Sequence, residues 1–513
     1  MVANADRTVE EAQGALFAGH PPSFAPPGAR AARIGVLDVG SNSVRFVVFE
    51  GHSRSPAVIF NEKVLCGLGR SLAETGRLDD KGKARCLAAL SRFAALAPRL
   101  RVGALAGVAT AAVREAADGA AFCQQIYAET GIRLRIASGA EEARLAAKGV
   151  LFGDPNAAGV VVDLGGASLE VCPVGGGKAG VGRTAPLGPQ RLRALAETGD
   201  LGAAIRECLA PLATEHARPG APLYLVGGAW RALARVQMAR TDYPLRVLHE
   251  YAITPEDAAD LGTWAAEQKP EHLHDLGASS SRAQAMALTG PLLAELVRAF
   301  APGKLVLSAF GLREGICLDN IRGTLRHLDP LLAACSEQER LRARAPGFGA
   351  EVGTWALRLL GVDDPARVRL ARAVGHLCDV NWRVHPDYRS ASCWETVTRP
   401  TITALGHEGR AFLGAALMAR YKDRKIERNP IANLLGGEAL AEARALGLAL
   451  RLGSALAGSA PGALAGCRVE RAGTHLSLTV TGPAQALVGE EVEKRLTALG
   501  KALGCRTALQ AAA

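Results

Sequence analysis

A loop that occurs twice constrains this chain more than any other feature. Asp38-Val39-Gly40-Ser41-Asn42-Ser43 follows the apolar run Ile34–Leu37, and Asp163-Leu164-Gly165-Gly166-Ala167-Ser168 follows Val160–Val162. Each copy predicts a buried strand with an acidic residue at its end and a Gly/Ser turn into a second apolar run, Val44–Phe49 or Leu169–Val174. Glycine lets backbone approach a ligand closely, and successive N–H groups in such a turn make an anion-binding nest. A carboxylate at the strand end is suited to holding a divalent cation against phosphate oxygens. One Asp-x-Gly turn is an ordinary hairpin. Two matched copies predict an internal repeat whose hairpins face each other across a cleft and hold a phosphate chain from both sides.

The 513 residues suffice for three or four domains with proper cores. Aromatic content is 4% and aliphatic residues abound, the composition of an α/β chain. No long apolar stretch escapes a charge or a Gly/Pro break, so no membrane span is expected. The first thirty residues hold Asp6, Glu10 and Glu11 and then a proline-rich stretch, Pro21 to Pro27, and read as a disordered tail. The eleven cysteines are scattered without C-x-x-C spacing, as expected of buried thiols in a reducing cytoplasm.

Charge is uneven. Residues 321–513 carry 26 Lys/Arg against 18 Asp/Glu and account for most of the net +10. A basic C-terminal part beside a phosphate-gripping N-terminal part points to a long polyanion, because cationic walls raise its local concentration. A solvated helical surface rich in arginine is the plainer explanation. Nucleic acid is not favoured as the polyanion, since no zinc-finger spacing, aromatic-rich strand or recognition-helix signature is present.

Strand signals at 34–37, 44–49 and 102–108 precede a helical stretch over 111–130, and Val160–Val162, Leu223–Val226 and Lys304–Ser308 open and continue a second set. After Asp319 Leu/Ala spacing predicts helices over 352–361, 366–378, 404–421 and 437–452. A strand at His475–Thr481 and a helix from about 485 suggest a small α+β cap.

Six motifs follow one another: Asp38 to Arg45, Ala109 to Ala116 (Ala-Thr-Ala-Ala-Val-Arg-Glu-Ala), Ser138 to Leu145 (Ser-Gly-Ala-Glu-Glu-Ala-Arg-Leu), Asp163 to Glu170, Val226-Gly227-Gly228, and Gly311-Leu-Arg-Glu-Gly315. Their sequence and order resemble the exopolyphosphatase/guanosine pentaphosphate phosphatase (Ppx/GppA) family, a branch of the actin-like superfamily that includes sugar kinases and Hsp70. The resemblance runs from about 33 to 320. It implies two actin-like (ribonuclease H-like) α/β domains, 31–153 and 154–320, with a cleft between them. A mainly helical HD-like region, 321–513, would follow.

The resemblance further implies a cytoplasmic enzyme, a homodimer, that removes terminal phosphate from inorganic polyphosphate with water and a divalent metal. Mg²⁺ or Mn²⁺ is the implied cofactor, with K⁺ a further candidate. Guanosine penta- or tetraphosphate is the alternative ligand, and a catalytically quiet sensor of either ligand the third reading. Phosphoryl transfer asks mainly for positioning and charge neutralisation, plus a carboxylate that deprotonates the attacking water. By the family pattern that base is Glu142, with Glu141 its competitor; an acidic first helical turn under Ser138 is the non-catalytic explanation. Asp163 and Asp38 are the metal candidates. Ser41, Asn42, Ser43, Gly165, Gly166 and Ser168 would line the phosphate cradle. Arg45 and Arg114 are candidate clamps, because a guanidinium grips phosphate in a bidentate way. Arg282 and Gly228 are further phosphate-binding candidates: Arg282 matches a family arginine less securely, and Gly227-Gly228 resembles the loop that contacts adenosine in kinases of the superfamily, a turn before a helix being the plainer explanation.

Departures are visible as well. Ala167 stands where a third glycine is usual, Ala111 where a polar residue is usual, and Ala229 where threonine is commoner. In the helical region Cys378-Asp379 replaces a His-Asp doublet and Tyr421-Lys422 occupies the place of a later His, so a non-catalytic arm is expected there. His385 to Arg389 beside Trp382 reads as a packed interdomain loop, and His272-x-His274 as a solvated connection.

Overall fold

The computed structural model describes residues 33–512 apart from 52, 198, 322, 424 and 425. The proline-rich tail therefore lies outside the described residues. The chain divides into two compact units. One runs to His327, omitting Pro244–Val247, and the other comprises that short segment and everything from Leu328.

The first unit is built on two sheets with one repeated plan. In the first, β1 (Arg33–Val39) pairs antiparallel with β2 (Ser43–Phe49), β2 with β3 (Val58–Leu65), and β1 runs parallel to β4 (Val102–Ala109), which is followed by β5 (Leu134–Ile136). In the second, β6 (Gly159–Leu164) pairs antiparallel with β7 (Leu169–Gly175), which also carries β8 (Lys178–Ala179) and β9 (Arg183–Ala185). On the other side β6 runs parallel to β10 (Pro222–Gly227). The sheet is completed by β11 (Ala252–Ile253) and β12 (Lys304–Leu307). Each hairpin therefore has its first strand at the sheet centre, against a parallel neighbour reached by a helical crossover.

Central position explains the sequence pattern. Strands covered on both faces read as continuous Val/Leu runs, and the buried Ile34–Leu37 and Val160–Val162 are such runs. One face of the first sheet packs Leu37, Val39, Phe46 and Val48 under the helix Asp80–Arg99. The other packs Val36, Val47, Phe49 and Val108 against Leu145 and Phe152 of the helix Gly139–Gly153 and Ile316 of the helix Leu312–Asn320. The helix expected over 111–130 is two, Ala111–Glu115 and Gly119–Thr130. A close approach explains the break, for a Cβ on Gly119 would lie 1.8 Å from the Val113 carbonyl oxygen.

The second unit is mainly helical, with helices Phe348–Leu360, Pro365–Leu377, His407–Tyr421 and Gly437–Ala457 sharing one core. Its three-stranded sheet joins β13 (Cys467–Ala472), β14 (His475–Thr481) and β15 (Arg506–Ala512), the last pairing parallel to β14 after the helix Glu490–Leu503. Trp382 to Arg389 is no interdomain loop. His385 caps the helix Pro386–Thr398, and Arg389 donates to the Trp382 and Val384 carbonyls inside this unit. No helix among the described residues is long and apolar enough to cross a membrane.

Candidate active site

The two loops are built alike down to single hydrogen bonds. Asp38 stands opposite Arg45 in the first hairpin and Asp163 opposite Glu170 in the second. Each turn is closed by its glycine amide, Gly40 to the Ser43 carbonyl at 2.9 Å and Gly165 to the Ser168 carbonyl at 3.0 Å. A Cβ on Gly166 would lie 3.4 Å from the Ser41 Cβ, so the tips of the two loops adjoin.

Loop carbonyls are held from behind. Asn42 accepts from the Cys66 and Gly67 amides and Ser41 from the Gly69 amide, while Ala167 accepts from Gly188 and Gly166 from Gln190. Among the described residues, the amides of Ser41, Asn42, Gly166 and Ala167 donate to no protein acceptor. Oriented, unspent N–H groups on both sides of one gap are suited to phosphate oxygens. Ala167 is buried, and its backbone packs closely against Gly188. A Cβ on Gly188 would come within 2.4 Å of the Ala167 backbone.

The two adjacent glutamates have different surroundings. Ser138 caps the helix Gly139–Gly153 by accepting from the Glu141 amide, and Glu141 Oε2 accepts from the Ser138 amide, a complete capping box. Its other oxygen takes Arg135 at 2.6 Å. Glu141 is thus spent on the helix end. Glu142, one position on, is buried and receives Arg114 Nη1 at 3.1 Å, while the same nitrogen donates to the Ala137 carbonyl at 2.8 Å. Burial, opposed by Arg114 and reinforced by Asp163 and Asp38, raises the Glu142 carboxyl to about 7. Arg114 is carried on the last turn of the short helix Ala111–Glu115.

Asp163 is raised to about 6, by burial first; Asp38 adds to the rise, while Arg231 and Arg313 oppose it. Glu170 is 1% exposed and raised well above the carboxylate range by burial and by Glu142 and Asp163. Thr184 donates to its Oε1 at 3.2 Å, Thr184 and the Ser168 hydroxyl oppose the rise, and among the described residues its Oε2 accepts no hydrogen bond within ordinary range. Three mutually repelling carboxyl groups with one orphaned oxygen suit a cation held by one or two carboxylates, with phosphate and water completing its shell. They do not suit an all-protein cage: among the described residues, no group of three or more His, Cys, Asp and Glu side chains is placed to hold a metal. Asp38 is already engaged, accepting from Arg313 Nη1 at 2.9 Å.

Several arginines accompany the carboxylates. Arg231, on the helix Gly228–Arg240, is lowered to about 10 by burial and by Arg313, and donates to the Ala309 carbonyl. Arg282 lies across the start of that helix, where a Cβ on Gly228 would come within 2.6 Å of its Nη2. Burial lowers its pKa, as it does for Arg45, whose Nε donates to Asn61 Oδ1 at 2.7 Å. Arg231, Arg313 and Glu170 are site residues that sequence reading did not single out. Arg313 and Glu170 lay within quoted motifs, and only their spatial partners reveal them.

The helices that carry Glu142 and Arg313 meet backbone to backbone. A Cβ on Gly315 would lie 1.9 Å from the Leu145 carbonyl oxygen, and one on Gly149 would lie 2.1 Å from that of Gly311. Lys148 and Asp319 pair at 2.5 Å along the same seam. Gly315→Ala is therefore expected to destabilise the protein by about 1–3 kcal/mol through overpacking and to slow turnover by moving the two groups apart. A thermal melt alongside an activity assay checks this, and an unchanged melt would refute the close seam.

Residues 47–323 match the model of the Ppx/GppA phosphatase family, and residues 331–510 match the exopolyphosphatase C-terminal domain. The chain belongs to the Ppx/GppA phosphatase family. Exopolyphosphatase 1 of Mycobacterium tuberculosis is 31% identical over 163 residues, covering 31% of this chain and 47% of that protein. The chain thus spans about half the length of the curated relatives it matches first. Retrograde regulation protein 2 of Saccharomyces cerevisiae is 24% identical over 75% of this chain and 72% of its own. Two solved structures share a fold with more than half of the chain. The Aquifex aeolicus Ppx/GppA family member superposes with a TM-score of 0.50 at 22% identity, covering 56% of this chain and 96% of its own. An exopolyphosphatase from Cytophaga hutchinsonii gives 0.51 at 22% identity, covering 57% and 98%. Both likenesses carry the two-domain actin-like fold.

In the second unit Asp379 is gripped by Arg344 through Nε at 3.1 Å and Nη2 at 2.8 Å, and faces Arg420 at 3.6 Å. Guanidinium groups neutralise the carboxylate that a metal would need. His272 lies in the helix Pro270–Asp275 with its ring against Trp264.

Proposed function

We propose that this protein is an exopolyphosphatase, releasing the terminal phosphate of inorganic polyphosphate to water. The observation that carries this reading is the buried Glu142, tethered by Arg114 beside two opposed loops of unspent amides. The loops bind and orient the terminal phosphoryl group, and Arg114 aims the Glu142 carboxylate. That carboxylate takes the proton of the attacking water as the water's oxygen bonds to phosphorus and the bridging oxygen leaves with the rest of the chain. Asp163, with Glu170 behind it, would hold Mg²⁺ or Mn²⁺, which when bound neutralises phosphate charge. Arg45, Arg231, Arg282 and Arg313 neutralise the remainder. The basic surplus of residues 321–513 supports a long polyanion over a compact one.

Phosphate release from long polyphosphate and from guanosine pentaphosphate, measured side by side, tests the reading. Faster release from long polyphosphate is expected. Preference for the nucleotide would move the assignment to a guanosine pentaphosphate phosphatase, and release from neither would leave a binding protein.

A pH profile gives a second check. A base must be ionised, and Glu142 faces Asp163, Asp38 and Glu170 against the single charge of Arg114. Its pKa is raised to about 7, so kcat/KM is expected to climb with pH, reach half its maximum near 7 and level off above it. A saturating cation neutralises the neighbouring acids and shifts the limb downward. An acid limb at the ordinary glutamate value without that dependence on cation would exclude Glu142 as the base.

A further inference from the structure

The charged row that begins at Asp38 does not stop at the loop. Asp38 on β1 stands opposite Arg45 on β2, and Arg45 stands opposite Lys63 on β3. Directly opposed residues share one face of a sheet. Three adjacent strands thus present Arg313-bound Asp38, then Arg45, then Lys63, in line from the sheet centre to its edge. The sheet face changes character along this line. Over β1 and β2 it is covered by the helices that bring Glu142 and Arg313, but on β3 the same face is open, with Ile59 37% and Leu65 63% exposed. The alternate residues Phe60 and Val64 turn inward to the core, and Glu62 pairs with Arg92. Lys63 therefore cannot turn to Glu62 for neutralisation.

No acidic partner reaches Lys63 among the described residues. It stands instead among Arg282, Arg45, Arg313 and Arg231, and partial desolvation together with these four like charges lowers its pKa. Folding gains nothing from collecting five cations around one gap. An anion that interposes between them relieves the repulsion and replaces the lost solvent.

We propose that Lys63 is a specificity-determining residue that binds the inner phosphates of a linear polyphosphate as the chain leaves the reaction site over the edge of the first sheet. The inference rests on the polyphosphate reading above and deepens it. Strands are spaced by about 4.8 Å, so Lys63 lies roughly 10 Å along the sheet from Asp38. Pyrophosphate held at the loops stops short of it, whereas a chain of more than about three phosphates reaches it. Lys63 thus rewards length, and the open face of β3 lets the remaining chain pass into solvent.

Lys63→Ala and Lys63→Arg in the full-length protein test this. For Lys63→Ala, KM on long-chain polyphosphate is expected to rise about tenfold at low salt, with a much smaller change in kcat and in KM for pyrophosphate. Lys63→Arg should restore most of the loss, and the gap between variants should shrink as salt rises. Equal effects on long and short substrates, or no effect on either, would overturn the assignment. Calorimetric binding of long-chain polyphosphate separates the two readings. A wild-type protein that binds the polymer but releases no phosphate refutes hydrolysis, while weaker binding by Lys63→Ala still upholds the subsite. Equal binding by both proteins, or none by either, refutes the subsite.

Discussion

Glu142→Gln is expected to lower turnover on polyphosphate by about two to four orders of magnitude, the contribution of a positioned general base. Glutamine keeps the shape and can still accept from Arg114, so KM should change little. Glu141→Gln is the matched control. It weakens a capping box and the Arg135 pair, and so is expected to lower the melting temperature with a far smaller effect on turnover. The stability sign separates the two glutamates further. The folded pKa of Glu142 lies above its ordinary value, so the stability present below 4.5 is lost as pH rises towards about 7. Removing that ionisable group should leave the protein free of cation at least as stable as wild type at pH 8, and less active. Should Glu141→Gln be the inactive variant and Glu142→Gln the active one, the base has been assigned to the wrong residue.

The second large effect concerns the cation. Asp163→Asn replaces a charged oxygen ligand with a neutral amide oxygen, a poorer donor to a hard ion. The Mg²⁺ or Mn²⁺ concentration giving half-maximal activity is expected to rise by about tenfold or more, a penalty that even outer-sphere partners incur when lost. The same substitution removes a negative neighbour of Glu142, so the acid limb of the pH profile should move down. Circular dichroism should show an intact fold, because among the described residues no side chain forms a salt bridge with Asp163 and its strand stays paired through the backbone. Wild-type activity that persists in excess EDTA would remove the cation from the mechanism altogether.

Both expectations rest on features that differ in how openly the chain displays them. The hairpin loops are local: a strand of Val and Leu, an aspartate, and glycines where the backbone turns are all contiguous, and physics acting over a dozen residues suffices to produce them. The helical periodicity of residues 348–457 is local in the same sense. The choice between Glu141 and Glu142 is not. Adjacent residues carry the same charge, and the capping box turns the first to the helix end while the chain's return to the first sheet buries the second. The strand β15 leaves little signal in the sequence, because Arg506–Ala512 has little apolar alternation of its own and is defined by its pairing with β14.

By itself, then, the sequence determined the two Asp/Gly hairpins, the α/β character of the first unit, and the helical character of the second. Tertiary structure alone decided which charges meet. Arg313 reaches Asp38 across 275 positions, and Lys63 joins the row because β3 pairs with β2 in one register and not its neighbour. A one-residue slip would turn Lys63 to the opposite face and bring Glu62 in its place. Charges leave no periodic trace in a chain, since their energies depend on distance and burial, and those exist only once the strands and helices have packed.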